Sequence, residues 1–366
     1  MHATKGVLMR SAAPAALTLL LIAASTTACG ELTDTSSSVA KVGIALPNQE
    51  QTRWENDGHN MVERFKAMGY EADLRFAGDD VDRQVAQVES MVNQGDKVLI
   101  IGAVDGFELG EALKKAALRG VKVIAYDRLV LGSSYVDYYA SFDNYQVGML
   151  QARYIEDELG LKGGKGPFNI ELFAGDPDDN NARFFYNGSI DTLKKYIDNG
   201  QLVVRSGEKR ITQVATYHWD GEIAEETMQT RLDSAYRSAT IDAVLAPNDG
   251  IARGVVAALE ANGYGKNGKS MPIITGQDAE VDSVKEIIEG QQSMTVYKDT
   301  RKLASVTVEM ASAILAGHKP KVNDTEQYDN GNKVVPARLL PSVSVDKSNY
   351  KKVLVDSGYI KASALN

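Results

Sequence analysis

Residues 98–127 read VLIIGAVDGFELGEALKKAALRGVKVIAYD. Two short apolar runs rich in β-formers, 98–103 and 121–127, flank a segment of helical length, and Asp105 with Glu108 has the spacing of a capping box at its start. The runs are continuously apolar instead of alternating, which is the pattern of parallel strands covered on both faces. Strand, crossover helix and strand form the repeating unit of a doubly wound α/β fold.

The same alternation extends outward in both directions. Strand-like runs occur at 42–47 (VGIALP), 72–77 (ADLRFA), 138–143 (YYASFD), 168–175 (FNIELFAG), 201–207 (QLVVRSG), 243–249 (AVLAPND), 272–278 (PIITGQD) and 294–299 (MTVYKD). Between them lie helical patterns, such as 81–94 with Val81, Val85, Val88, Met91 and Val92 on one face and Gly95 as C-cap. Ten such runs exceed what one open sheet usually holds, so two doubly wound lobes are expected, with the chain crossing between them several times. The proline-containing stretch 334–345 (VVPARLLPSVSV) reads as an edge or linking strand, followed by a terminal helix at 346–357.

With 366 residues, 43% hydrophobic and 24% charged, the chain has ample material for two cores. Its net charge of −9 becomes −11 when Lys5 and Arg10 of the first 29 residues are set aside, which argues against nucleic acid as a partner. One cysteine, Cys29, rules out an intrachain disulfide, and four scattered histidines give no metal cluster by spacing.

Residues 1–29 read as a secretory signal: a positive start, the apolar run AAPAALTLLLIAA at 12–24, then small residues to Ala28. Cys29 directly follows, as in a bacterial lipobox where the cysteine is lipidated, although Thr26 stands where leucine is usual. Ordinary cleavage after Ala28 is the alternative. The polar stretch ELTDTSSSVA at 31–40 suits a flexible tether.

GYGKNGKS at 263–270 matches a phosphate-loop string, but it follows a helix and precedes a strand. A phosphate loop needs the reverse order, so this is read as a surface loop with Gly263 ending the helix. DPDDNN at 176–181 lacks the glycine and glutamate of a calcium loop. The usual hydrolase and redox signatures are missing; paired carboxylates leave a glycosidase open.

Polar residues recur where the strands end: Asp127 and Arg128, the 176–181 loop, Asn248 and Asp249, Gln277 and Asp278, Lys298 and Asp299. Ligands of open α/β sheets sit at those ends. A nearly charge-balanced set of carboxylates, amides and cations suits a neutral polyhydroxylated molecule, whose hydroxyls both donate and accept. Trp54 and Trp219 would pack on the C–H faces of a pyranose ring. Each residue also has a structural reading: helix capping for Asp105, Asp249 or Asp278, solvated charge for Arg128, Arg183 or Lys298, core packing for Trp54.

The strings RWENDG, IAYDR, SFDNYQVG, GPFNIELFAGDPDDNNA, HWD, GQDAEVDSVK, VYKDTR and VNDTEQYDNG resemble the periplasmic multiple-sugar-binding and xylose-binding proteins of bacterial sugar importers. The resemblance runs from about Lys41 to the end. It implies the type I periplasmic-binding-protein fold, two α/β lobes joined by three crossovers with a sugar between them. Carried over residue by residue, it makes Arg53 and Trp54 first-strand contacts, with Trp54 stacking on the sugar. Asp127 and Arg128 become hydroxyl ligands, Asn181 and Arg183 a ligand-facing loop, and Trp219 a second stacking aromatic. Asn248 or Asp249 and Asp278 become further hydroxyl ligands, and Lys298 a hinge contact.

The expected division is therefore 1–29 signal, 30–40 tether, 41–143 with 299–330 in one lobe, and 144–298 with 331–366 in the other. The expected function is capture of an aldose (glucose, galactose, xylose or arabinose) by a monomer that hands it to a membrane permease driven by a separate ATPase subunit, without catalysis, cofactor or metal. The alternatives are a sensor that presents its closed form to a chemoreceptor or kinase, and an exported sugar-active enzyme using Asp127 or Asp278. The signal segment and the lack of room for a helix-turn-helix before Lys41 disfavour a transcription regulator.

Overall fold

The computed structural model describes residues 39–49, 52–266 and 268–366. The signal segment, Cys29 and the tether up to residue 38 lie outside the described residues.

The strands are β1 (Lys41–Leu46), β2 (Glu71–Phe76), β3 (Val98–Ile101), β4 (Lys122–Tyr126), β5 (Tyr138–Phe142), β6 (Phe168–Leu172), β7 (Leu202–Val203), β8 (Ala243–Leu245), β9 (Ile273–Ile274), β10 (Met294–Tyr297), β11 (Ala337–Leu340) and β12 (Val343–Asp346). The helices are α1 (Thr52–Ala67), α2 (Val81–Gln94), α3 (Gly110–Leu118), α4 (Asn144–Glu158), α5 (Asn180–Asp198), α6 (Ile211–Val214), α7 (Gly221–Ala235), α8 (Asp249–Ala261), α9 (Val281–Glu289) and α10 (Thr300–Leu315). All ten expected runs carry strands.

The first sheet has the order β2-β1-β3-β4-β5-β11 and is parallel throughout. The second runs β7-β6-β8-β9, also parallel. A parallel bridge from Gln277 to Val296, with Val296 N donating to Gly276 O at 3.0 Å, carries it on to β10, and β12 closes that edge antiparallel. Both lobes therefore wind in the same order, with the strand order reversing beside their first strands. That is where an open α/β sheet leaves a crevice at its carboxyl ends.

The sequence explains the elements locally. In α2, Asp80 accepts from Arg83 N at the N-cap, and Gly95 at φ 92° ends the helix in the left-handed conformation. Val88, Met91 and Val92 bury the predicted face against the first sheet, each contributing about 1.5–3 kcal/mol. Glycines set the closest helix contacts: a Cβ on Gly148 of α4 would lie 1.9 Å from Phe185 O of α5, and one on Gly188 would lie 2.1 Å from Tyr145 O.

Three expectations need correction. The boundary at residue 330 is misplaced, because β11 pairs with β5 and Tyr328 and Val335 join the first lobe's core; the last crossover falls between β11 and β12. The capping box at Asp105 does not form: its carboxylate accepts from Phe107 N at 2.7 Å in a local turn, and α3 starts at Gly110 without a side-chain cap. The terminal helix shrinks to one π-helical turn at Lys351–Val355, since Asp346 ends a strand and turns through hydrogen bonds with Ser348 and Asn349. The 263–270 loop does follow α8 and precede β9, with Gly263 at φ 81°.

Candidate functional site

Side chains from both lobes meet at the strand ends around a cavity of about 380 Å³, counting the space open at its mouth. From the first lobe come Arg53 and Trp54 at the start of α1 and Asp127 and Arg128 after β4; from the second come Asp179, Asn181, Phe185, Trp219, Asn248, Gln277 and Asp278. Lys298 lines it from the crossover between β10 and α10.

The polar groups form one network. Arg53 Nη2 donates to Asp127 Oδ2 at 2.9 Å, and its Nη1 lies 3.7 Å from Asp278 Oδ1 across the lobes. Lys298 Nζ, 3% exposed as a residue, sits 2.9 Å from the same Asp278 oxygen. Arg128 Nε makes a second interlobe pair with Asp179 Oδ2 at 3.3 Å. Asn181 Nδ2 donates to Asp127 O at 2.9 Å, and its Oδ1 accepts from Asn144 Nδ2 at 2.7 Å. Three cations and three carboxylates thus balance around the cavity, and the described lobes are in mutual contact.

Burial pushes the Asp127 carboxyl up, but Arg53, Lys298 and Arg128 pull it further down, so it stays below the ordinary carboxylate range. For Asp179 burial prevails over Arg128 and the shift is upward. Burial opposes the charge on Arg53, yet Asp127, Asp57 and Asp278 more than offset it. Arg53 Nε and Gln277 Oε1 are buried without a protein hydrogen-bond partner, a donor and an acceptor suited to a ligand hydroxyl.

Backbone strain aims several of these groups. Asp127 (φ 61°), Asp278 (φ 97°), His218 (φ 56°) and Trp219 (φ 58°) all occupy the left-handed region without being glycine. Such conformations cluster at functional sites and persist because the surroundings over-determine them. The Asp127 carbonyl is held by the Tyr139 hydroxyl at 2.5 Å and Ser141 Oγ at 3.0 Å. The Trp219 indole lies over Gly175, where a Cβ would come 2.0 Å from the ring, and meets Phe185 edge-on at 6.1 Å. Trp54 is 1% exposed, with the Arg53 and Arg128 guanidinium carbons 4.5 and 5.4 Å from its ring centre.

Of the residues expected from sequence, Arg53, Trp54, Asp127, Arg128, Asn181, Trp219, Asn248, Asp278 and Lys298 line this cavity. Two do not. Arg183 is exposed and borders a different groove, because two residues beyond Asn181 the helix has turned its side chain away. Asp249 is fully buried within the second lobe, while its neighbour Asn248 both lines the cavity and caps α8 by accepting from Ile251 N. Asp179, Phe185 and Gln277 complete the lining. Asp179 caps α5, and cap chemistry masks a second role in sequence; Gln277 belongs to the recurring polar pattern, where an amide beside Asp278 carries no separate signal. No group of side chains among the described residues could hold a metal ion, and none of their helices is long and apolar enough to cross a membrane.

Two doubly wound lobes joined by three crossovers, with a lined cleft at their strand ends, define the type I periplasmic-binding-protein fold. The model of the periplasmic binding protein domain matches residues 42–319, and the chain belongs to that family. It is 54% identical over 324 residues to the multiple sugar-binding periplasmic receptor ChvE of Rhizobium radiobacter, covering 88% of this chain and 92% of that one. It is 57% identical over 318 residues to the multiple sugar-binding periplasmic protein SbpA of Azospirillum brasilense, covering 87% and 89%. Among solved structures, an ABC transporter solute binding protein from Clostridium phytofermentans with bound β-D-glucose superposes with a TM-score of 0.85 at 47% identity, covering 89% of this chain and all of that one.

Proposed function

We propose that the protein is an exported receptor that captures a neutral aldose between its lobes and delivers it unchanged to an ABC importer, held at the membrane by a lipid on Cys29. The observation that carries this reading is the charge-balanced cavity with Trp54 and Trp219 among its walls. Every cation there stands within 3.7 Å of a carboxylate, so a sugar hydroxyl can donate to one and accept from the other. A sugar acid or phosphate would add an uncompensated charge to a balanced, buried site. The names of the relatives, two multiple sugar-binding proteins and one protein holding β-D-glucose, support the same class.

Ligand bound to both lobes at once stabilises the closed arrangement, the state a permease can distinguish from the open one. Calorimetry and small-angle scattering with D-glucose, D-galactose, D-xylose and L-arabinose test this. Heat release and a smaller radius of gyration with at least one sugar are expected; neither with any of them overturns the proposal. For the anchor, Cys29→Ala is expected to move the chain from the membrane fraction to the soluble one.

A further inference from the structure

Asp249 opens α8 but lies outside the cavity lining and is fully buried. Its Oδ2 accepts from Glu280 N at 2.9 Å and from the Thr295 hydroxyl at 3.1 Å, and its Oδ1 accepts from Gln292 Nε2 at 2.9 Å. Thr295 Oγ1 in turn accepts from Ala279 N at 3.1 Å. The Asp249 backbone N–H donates to Gln277 O at 3.0 Å, and Asp278 N donates to Val296 O at 2.9 Å. Each residue from 277 to 280 is therefore tied down, the last two by the carboxylate and the hydroxyl bonded to it.

That turn needs holding. Asp278 and Ala279 have φ of 97° and 52°, which residues with a Cβ adopt only under constraint. The carboxylate is seated by a glycine: a Cβ on Gly276 would lie 2.2 Å from both Asp249 Oδ1 and Gln292 Nε2. A buried carboxylate with three donors, spent on a turn that carries a site residue, is better explained by that residue's aim than by packing.

We infer that Asp249 is a positioning residue of the ligand cleft. It fixes the 277–280 turn so that Asp278 Oδ1 meets Lys298 Nζ at 2.9 Å and Arg53 Nη1 at 3.7 Å, and it sets ligand affinity without touching the ligand. The inference rests on the reading of the cleft as a sugar site.

The test is calorimetry on the full chain with whichever sugar of the four binds the wild type most tightly, D-glucose first. Wild type that binds none of them overturns the functional reading itself. If wild type binds, Asp249→Ala is expected to weaken binding about tenfold or more, as leaving the three buried donors to its carboxyl oxygens without a partner does. Combined with Asp278→Ala it should weaken binding no further than about threefold beyond Asp278→Ala alone, because the two act through one group. Asp249→Asn, which keeps an oxygen for Glu280 N, should recover most of the affinity. Wild-type affinity in Asp249→Ala, or losses that add in the double variant, overturn the inference. If Asp249→Ala does not fold, Thr295→Val removes the hydroxyl between Asp249 and Ala279 at nearly constant volume. It is expected to weaken binding several-fold, again only while Asp278 is present, and unchanged affinity overturns the inference.

Discussion

Arg53 Nη1 stands 3.7 Å from Asp278 Oδ1, although the arginine belongs to the first helix of one lobe and the aspartate follows a strand of the other. The same guanidinium grips Asp127 of its own lobe at 2.9 Å. One planar fork thus links carboxylates of both lobes at the cavity wall.

A lysine cannot reproduce that link, since it presents a single point charge. Arg53→Lys is expected to lower sugar affinity by about tenfold or more, corresponding to one charged hydrogen bond of roughly 1.5–3 kcal/mol. Calorimetry decides it, and an unchanged dissociation constant would remove Arg53 from the proposed contacts.

Gly175 leaves room for the Trp219 indole, with ring carbons 2.0–2.3 Å from where a Cβ would stand. Gly175→Ala must displace the ring or the backbone. We expect a stable fold, weakened by about 1–3 kcal/mol as for other overpacked sites, with sugar binding strongly reduced. Because the chain has two tryptophans and both line the cavity, sugar should also change the intrinsic fluorescence of the wild type. Trp219→Phe should diminish that change.

Asn181 and Arg183 separate a cavity residue from a surface one two positions along the same helix. Arg183→Ala should bind sugar within about twofold of wild type, as surface changes generally do little. Asn181→Ala removes the donor to Asp127 O and the acceptor for Asn144, and it should bind markedly more weakly. Equal effects of the two would contradict the placement of the cavity.

Asp96, 1% exposed at the foot of the first sheet, has its carboxyl pushed up to about 6, by burial first and with Lys41 offsetting only part of it. The folded chain then keeps a proton that the unfolded chain has released, so this stability is present below the ordinary pKa of 3.8 and is lost as pH rises through about 6. Melting curves from about pH 4 to about pH 7 should therefore show a shallower decline for Asp96→Asn than for wild type, by on the order of 1–2 kcal/mol. Parallel curves would show that Asp96 is not the titrating group.

The strands were legible because buried parallel strands are written as continuous apolar runs, and residues 98–101 and 122–126 fall inside the apolar runs at 98–103 and 121–127. The cavity was legible in part because strand ends announce themselves with Asp, Asn, Arg and Lys. What sequence could not resolve was the direction of each side chain. Asn248 and Asp249 are adjacent and chemically alike, yet one lines the cavity and the other turns into the lobe. Nor could it resolve the partner of 337–340, since an edge strand fits either sheet until the bonds between β11 and β5 are seen.

The position of β11 bears on the order in which the lobes are completed as the chain emerges with its N-terminus first. β5 keeps an open hydrogen-bonding edge until residues 337–340 emerge, after nearly all of the second lobe has been made. The first lobe is therefore begun early and finished late, and during that interval β5 is a template for stray pairing with other nascent chains. Ribosome-stalled chains ending before residue 337 should be cleaved by protease near β5, and chains extended beyond that segment should resist.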